Sequence, residues 1–189
     1  MIKVVDIFAG PGGLSEGFGS VTDARGRRAF DVVLSVEKER YAFSTLKLRA
    51  FFRQFPEGAS ADYYRLLRGE IDQGRLFVRH AAEARMADEK CWHAELGSDR
   101  QWVEEARKRI TKAVGGCDNW VLIGGPPCQA YSIAGRSRNH GNRDYDPKTD
   151  VRQRLYVEYL QILADHWPSV FIMENVKRCL SATLGISVS

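Results

Sequence analysis

The chain has no apolar run approaching the roughly 18 to 20 residues that a membrane-crossing helix requires. Its opening, Met1-Ile-Lys-Val-Val-Asp6, has no basic stretch ahead of a long apolar one. No signal peptide is therefore expected, and a soluble cytoplasmic domain is the default. Cysteine is scarce: four, at 91, 117, 128 and 179, with no CxxC pair and no Cys/His cluster at zinc-finger spacing. That argues against a disulfide framework and against a metal site. With 6 Pro and 17 Gly the chain is not a fibrous or linker protein, and at 44% hydrophobic it is not a disordered one. There is no repeat and no low-complexity tract. Acidic residues are not in excess: 24 stand against 28 Lys and Arg, for a net charge of +4. Mild basicity permits nucleic acid as a partner without showing it. The length of 189 residues suits one domain.

What the sequence does have is an alternation of apolar runs and turns. Lys3 to Phe8 reads as a strand entering the turn Ala9-Gly10-Pro11-Gly12-Gly13, and a helical stretch follows with Leu14, Gly17 and Phe18 on one side. A second run, Asp31 to Val36, ends at Glu37. Strand, glycine turn, helix, strand and acid form the opening of a doubly wound, mostly parallel α/β sheet. Residues 41 to 55 are helical in pattern, with Leu48, Phe51, Phe52 and Phe55 at three- and four-residue intervals. From about 56 to 116 the chain turns polar, with a short amphipathic piece (Tyr63, Leu66, Leu67, Ile71) and a helix starting near Ser98. There Ser98 and Gln101 have capping-box spacing, Trp102, Ala106, Ile110 and Ala113 form a stripe, and Gly115-Gly116 close it. This predicts a helical insertion between strands, not a second domain. A third strand, Trp120 to Ile123, runs into Gly124-Gly125-Pro126-Pro127-Cys128-Gln129, and an arginine-bearing loop spans about 130 to 150. A helix around Leu155 to Leu163 and a fourth strand, Val170 to Met173, lead to Glu174-Asn175.

Four strand ends thus carry the glycine turn, Glu37, Cys128 and Glu174, and in open α/β sheets ligands bind just outside those ends. Each has an ordinary alternative. The turn is a plain tight turn or a nucleotide cradle; a nicotinamide fingerprint needs Gly at 15, where Ser15 stands. Glu37 is a solvated residue or an acceptor for both ribose hydroxyls of an adenosine group. Arg25, Arg27 and Arg28 read as a solvated loop. Cys128 is a small hydrophobe or a thiol on a turn stiffened by two prolines, where a thiolate would be the nucleophile. Cys91, Cys117 and Cys179 read as structural. Glu174 faces solvent or sits at the crevice rim as a proton donor. Arg136, Arg138, His140 and Arg143 form a solvated loop or a lid touching phosphates.

Three segments together resemble the cytosine-C5 DNA methyltransferases: Asp6-Ile-Phe-Ala-Gly-Pro-Gly-Gly-Leu14, the Gly-Gly-Pro-Pro-Cys-Gln run ending at Gln129, and Glu174-Asn175-Val176, which are similar to that family's first, fourth and sixth motifs in order. The resemblance implies a Rossmann-like, class I methyltransferase fold. It implies an S-adenosylmethionine pocket formed by Asp6, Phe8, Ala9, Gly10, Gly12, Gly13, Leu14, Glu37, Pro126 and Leu155, the last in a segment similar to the fifth motif. It implies Cys128 as nucleophile and Glu174 as the group acting on the base, with no metal. Gln129, Ser132, Arg136, Arg138 and Asn175 would meet the substrate, double-stranded DNA with a flipped cytosine, although nothing in the residues separates DNA from RNA. The adenine-side acid has its candidate in Gly69-Glu70-Ile71.

The sequence also departs from that pattern. Fifteen residues follow Glu174, with no Gln-x-Arg segment, target-recognition domain or returning helix among them, and Arg178 stands where the family has Gly. The sheet is accordingly expected to be incomplete at its C-terminal end, and a second chain carrying the remaining part is a candidate partner. Readings as a non-catalytic cofactor- or DNA-binding subunit, and as a nicotinamide-dependent oxidoreductase, stay open at this point.

Overall fold

The computed structural model describes residues 1–55, 57–97, 100–127 and 155–175. Five parallel strands form one sheet: β1 (Ile2–Ile7), β2 (Phe30–Glu37), β3 (Cys91–His93), β4 (Trp120–Gly124) and β5 (Val170–Met173). Their spatial order is β3-β2-β1-β4-β5. The chain builds outward from β1 to one side, then returns and builds outward to the other. The reversal falls between β1 and β4, where open α/β sheets bind ligands. This is a Rossmann-like α/β fold, and every strand pair described is parallel.

β1 is central, and its Val4, Val5, Asp6 and Ile7 are wholly buried, as expected of a parallel strand covered on both faces. On one face Val5, Ile7, Leu34, Val36 and Leu122 pack against α6 (Arg100–Val114) and α7 (Leu155–His166), through Ala106, Ile110, Tyr159 and Ile162. On the other face Val4, Val32, Val121 and Ile123 meet Leu14 and Phe18 of α1 (Gly13–Ser20). Beside α1 lies α2 (Arg40–Phe52), whose Leu46, Ala50 and Phe51 join a second core with α4 (Gln73–Arg79) and α5 (Ala81–Lys90). The small helix α3 (Ala61–Leu67) packs on α4. Lys3 ties the sheet to α6 by donating to the carbonyls of Ala113 (3.2 Å) and Val114 (2.8 Å), two of the carbonyls that a helix end leaves unpaired.

One expectation needs correcting. The segment 56–116 is not a purely helical insertion: it carries β3, which pairs Ser35 to Cys91 and Glu37 to His93 and so forms one edge of the sheet. The third and fourth strands expected from sequence are therefore the fourth and fifth. Gly115 and Gly116 do close α6, both in the left-handed region. Ser98, the expected cap of that helix, lies outside the described residues.

Candidate active site

β1 ends in a turn with three left-handed residues in five: Phe8 (φ 56°), Gly10 (56°) and Gly12 (88°). A bulky residue such as Phe8 rarely adopts this conformation, and such strain persists only where its surroundings enforce it. Here the amide of Ala9 donates to the Val36 carbonyl (3.0 Å), and that of Gly10 donates to Glu37 Oε2 (2.8 Å). Gly12 must be glycine on two counts, since a β-carbon there would also stand 2.8 Å from Leu46 Cδ1 of α2.

Glu37 closes β2. Besides Gly10, its other oxygen accepts the amide of Glu39 (2.6 Å), while its carbonyl accepts the amide of Ala94 (3.0 Å) and so fixes the end of β3. Between these strand ends and α7 lies a cavity of about 220 Å³. Phe8, Val36, Leu96 and Leu155 give it apolar walls, Gly10, Ala94, Gly125 and Pro127 bring backbone to its surface, and Glu37, Lys38 and Glu95 stand at its rim. Lys38 and Glu95 pair across that rim at 2.8 Å. Apolar walls with carboxylates at the edge suit a ligand with a flat apolar body and hydroxyl or amine donors.

On the far side of the crevice, β4 delivers Gly125-Pro126-Pro127. Gly124 has no room for a side chain, because a β-carbon would lie 2.2 Å from the Ile7 carbonyl oxygen. The residues after β5 hold this segment in place. The Glu174 amide donates to the Gly124 carbonyl (2.9 Å) and Asn175 Nδ2 donates to the Pro126 carbonyl (3.0 Å). A β-carbon on Gly125 would stand 3.1 Å from Glu174 Oε2, so the exposed Glu174 carboxylate lies directly over the backbone that leads to position 128.

Of the residues expected at the cofactor pocket, Phe8, Gly10, Glu37 and Leu155 line the cavity. Asp6 does not: it is wholly buried beneath the turn, hydrogen-bonded to Ser15. Ala9 packs towards the α2–α5 core, Leu14 towards the α1 face, Gly12 and Pro126 are buried, and Gly13 is exposed. Cys128, Gln129, Ser132, Arg136 and Arg138 lie outside the described residues. The candidate Glu70 is not at the cavity; it is exposed and paired with Arg65 and Arg68. The acid that does reach the cavity is Glu95, just past β3. Burial pushes the Cys91 thiol up to about 12, so it stays protonated and unreactive. Among the described residues, no group of His, Cys, Asp and Glu is arranged to hold a metal, and no helix is long and apolar enough to cross a membrane.

Comparison with known proteins bears on the same crevice. Residues 99–187 match the family of C-5 cytosine-specific DNA methylases. The chain is 32% identical to the type II methyltransferase M.Bpa9945I of Bacillus paralicheniformis, over 96% of this chain and 42% of that protein. It is 26% identical to a putative type II methyltransferase of Methanocaldococcus jannaschii (93% of this chain, 48% of that protein). It is also 26% identical to a DNA-cytosine methyltransferase of Escherichia coli (97% and 31%). Residues 99–187 thus belong to the C-5 cytosine-specific DNA methylase family. The chain spans less than half the length of these three relatives. The methylase match begins just before α6 and runs through β4, β5 and the Glu174-Asn175 pair, so it includes the far wall of the crevice and the β4 side of the seam.

Proposed function

We propose that this chain forms the cofactor-binding and thiol-bearing part of a DNA cytosine-C5 methyltransferase that uses S-adenosylmethionine. The observation that carries the reading is the convergence at one crevice of the glycine turn braced by Glu37 and the Gly-Pro-Pro segment braced by Glu174 and Asn175. The residues present suit the cofactor. Glu37 spends one lone pair on each of two amides and keeps others for ribose hydroxyls. Phe8, Val36 and Leu155 offer apolar walls for the adenine, and Glu95 is placed to accept its amine by leaving Lys38.

When bound, S-adenosylmethionine supplies an electrophilic methyl group. The chain's own task is to make cytosine C5 nucleophilic enough to take it. The Cys128 thiolate forms a bond to C6 while Glu174 holds a proton at N3, so the ring's electron pair is displaced towards C5. After methylation a base removes the C5 proton, the S–C6 bond breaks, the thiolate leaves with its electron pair, and N3 returns its proton to Glu174. A cytosine in a duplex must first be extruded, at a cost of a few kcal/mol. In this reading double-stranded DNA is the partner, with Arg136 and Arg138 contacting its backbone. A further polypeptide segment pairing with β5 is favoured by the exposure of Val170, Phe171 and Ile172.

Calorimetric titration of the purified chain with S-adenosylmethionine, with NAD as comparison, tests the pocket. Binding at about micromolar Kd by the first alone is expected; binding of NAD, or of neither, overturns the cofactor assignment. Methyl transfer to DNA should fall at least about a thousandfold in Cys128→Ser.

A further inference from the structure

The glycine turn is held from two sides, and the cavity accounts for only one of them. Glu37 takes its entry, through the amide of Gly10. Its exit leads into α1, whose N-cap is Gly12, a residue with no side chain to satisfy the free amides of the first turn. The group that does so comes from below. Asp6 Oδ2 accepts the Ser15 hydroxyl, and the Ser15 amide also points to this carboxylate. Both residues are wholly or almost wholly shielded from solvent.

This carboxylate is not a settled ion. Its second oxygen, Oδ1, is buried without a partner, and so is the hydroxyl of Ser35, its register neighbour on β2. The charged groups that act on it are Glu37 from β2, which disfavours the ion, and Arg53 just past α2, which favours it. Arg53 is itself held by Glu16 of α1. Tyr159 of α7 is near enough to feel the Asp6 charge. Desolvation dominates this balance and raises the Asp6 carboxyl to about 7.

We propose that Asp6 is a positioning residue for the ligand turn, and that its proton sets the affinity of the cavity for an adenosine-bearing cation. Ionised, Asp6 accepts both donors of Ser15, complements the positive end of α1, and fixes the Gly10–Gly13 turn, whose Gly10 lines the cavity. Protonated, it loses acceptor strength and the turn loosens. Ligand binding and ionisation of Asp6 therefore favour each other, and binding near neutrality releases part of a proton. The inference rests on the cofactor reading above but concerns a group that does not touch the ligand.

The test combines two readouts on the whole chain. In the ligand-free protein, the amide resonances of Gly10 to Ser15 are followed by NMR through a pH titration; they should move together with a midpoint near neutrality and stop moving in Asp6→Asn. In calorimetry, wild-type affinity for S-adenosylmethionine should fall about tenfold between about pH 8 and about pH 6, with proton release at pH 7, while Asp6→Asn shows a flat profile and releases none. Should Asp6→Asn fail to fold, Ser15→Ala keeps the carboxylate and removes its donor, and must move the NMR midpoint upward. Turn amides that do not titrate, an unchanged slope in Asp6→Asn, or an unmoved midpoint in Ser15→Ala each overturn the proposal. A titrating turn with no ligand binding at any pH overturns the cofactor reading and the affinity claim with it, while the amide midpoint still assigns the proton to Asp6.

Discussion

The two edges of the sheet carry strands of almost equal length and opposite character. β3 has three residues and is covered over its first two: Cys91 and Trp92 are each 7% exposed, under α2, α5 and α6, while His93 at its end is exposed. β5 has four and lies open, with Val170, Phe171 and Ile172 at 51%, 54% and 41%. Strand length does not decide this; covering does. The consequence for the site is direct. The covered edge provides a cavity with Glu37 and Glu95 at its rim, whereas the open edge provides Glu174 and Asn175 just past a strand that, among the described residues, is held by β4 and Tyr159. The ligand half of the crevice is thus built by the described chain, and the half assigned to the base is only begun by it.

The largest effect is expected at the seam that joins the two halves. Gly124→Val would drive a side chain into the Ile7 carbonyl and the Tyr159 ring, and should cost at least about 4 kcal/mol or abolish soluble expression. A urea midpoint like that of wild type would show that β1 and β4 are not seated as described. Next comes the comparison itself. Trp92→Ala on the covered edge should cost about 3 to 5 kcal/mol, against less than about 1 for Phe171→Ala on the open one. Equal losses in chemical denaturation would remove the distinction between the edges.

A smaller effect concerns the buried acid between them. The folded-state value of Asp6, about 7, lies above its ordinary 3.8, so the fold favours the protonated form. Folding takes up a proton between about pH 4 and 7, and this contribution is greatest below the lower value and lost as pH rises through the upper one. Asp6→Asn should therefore be more stable than wild type above pH 7, by about 2 kcal/mol, with the gap closing on acidification. A gap that widens towards acid would reverse the assignment. An ion kept at a cost to stability is what a turn serving ligand affinity would require.

Much of this was legible in the sequence, for identifiable reasons. β1, β2, β4 and β5 are apolar runs ending in glycine, acid or both, and such runs announce themselves. β3 does not, because Cys91 follows Lys90 of α5 with no breaker between them and three residues hold no period. Missing β3 also hid Glu95, whose place at the cavity follows only from where that strand ends. Glu70 was a candidate only through the family resemblance, and its charge is already taken by Arg65 and Arg68. Asp6 was legible as part of a motif and not as a brace. On a central parallel strand both faces are buried, so alternation cannot say which way its carboxylate points. Glu37 was legible as an acid at a strand end, yet its grip on Gly10 required the register of β1 on β2.

A single hydrogen bond sharpens the contrast between the edges most locally. The Tyr159 hydroxyl, wholly buried, donates to the Ile172 carbonyl (3.0 Å) and lies 3.3 Å from that of Leu122, so one proton is shared between β5 and β4. Burial, with Asp6 nearby, holds the phenol above its usual range, and it stays neutral at any working pH. Tyr159→Phe keeps the ring in the core and removes only this stitch, at a cost of about 1 kcal/mol. If the open edge depends on it, amide hydrogen exchange should accelerate along Val170 to Met173 and leave Cys91 to His93 unchanged, because the covered edge rests on packing that the substitution does not touch. Acceleration spread evenly over both edges would mean that the sheet opens as one unit, and that the contrast in exposure has no counterpart in local stability.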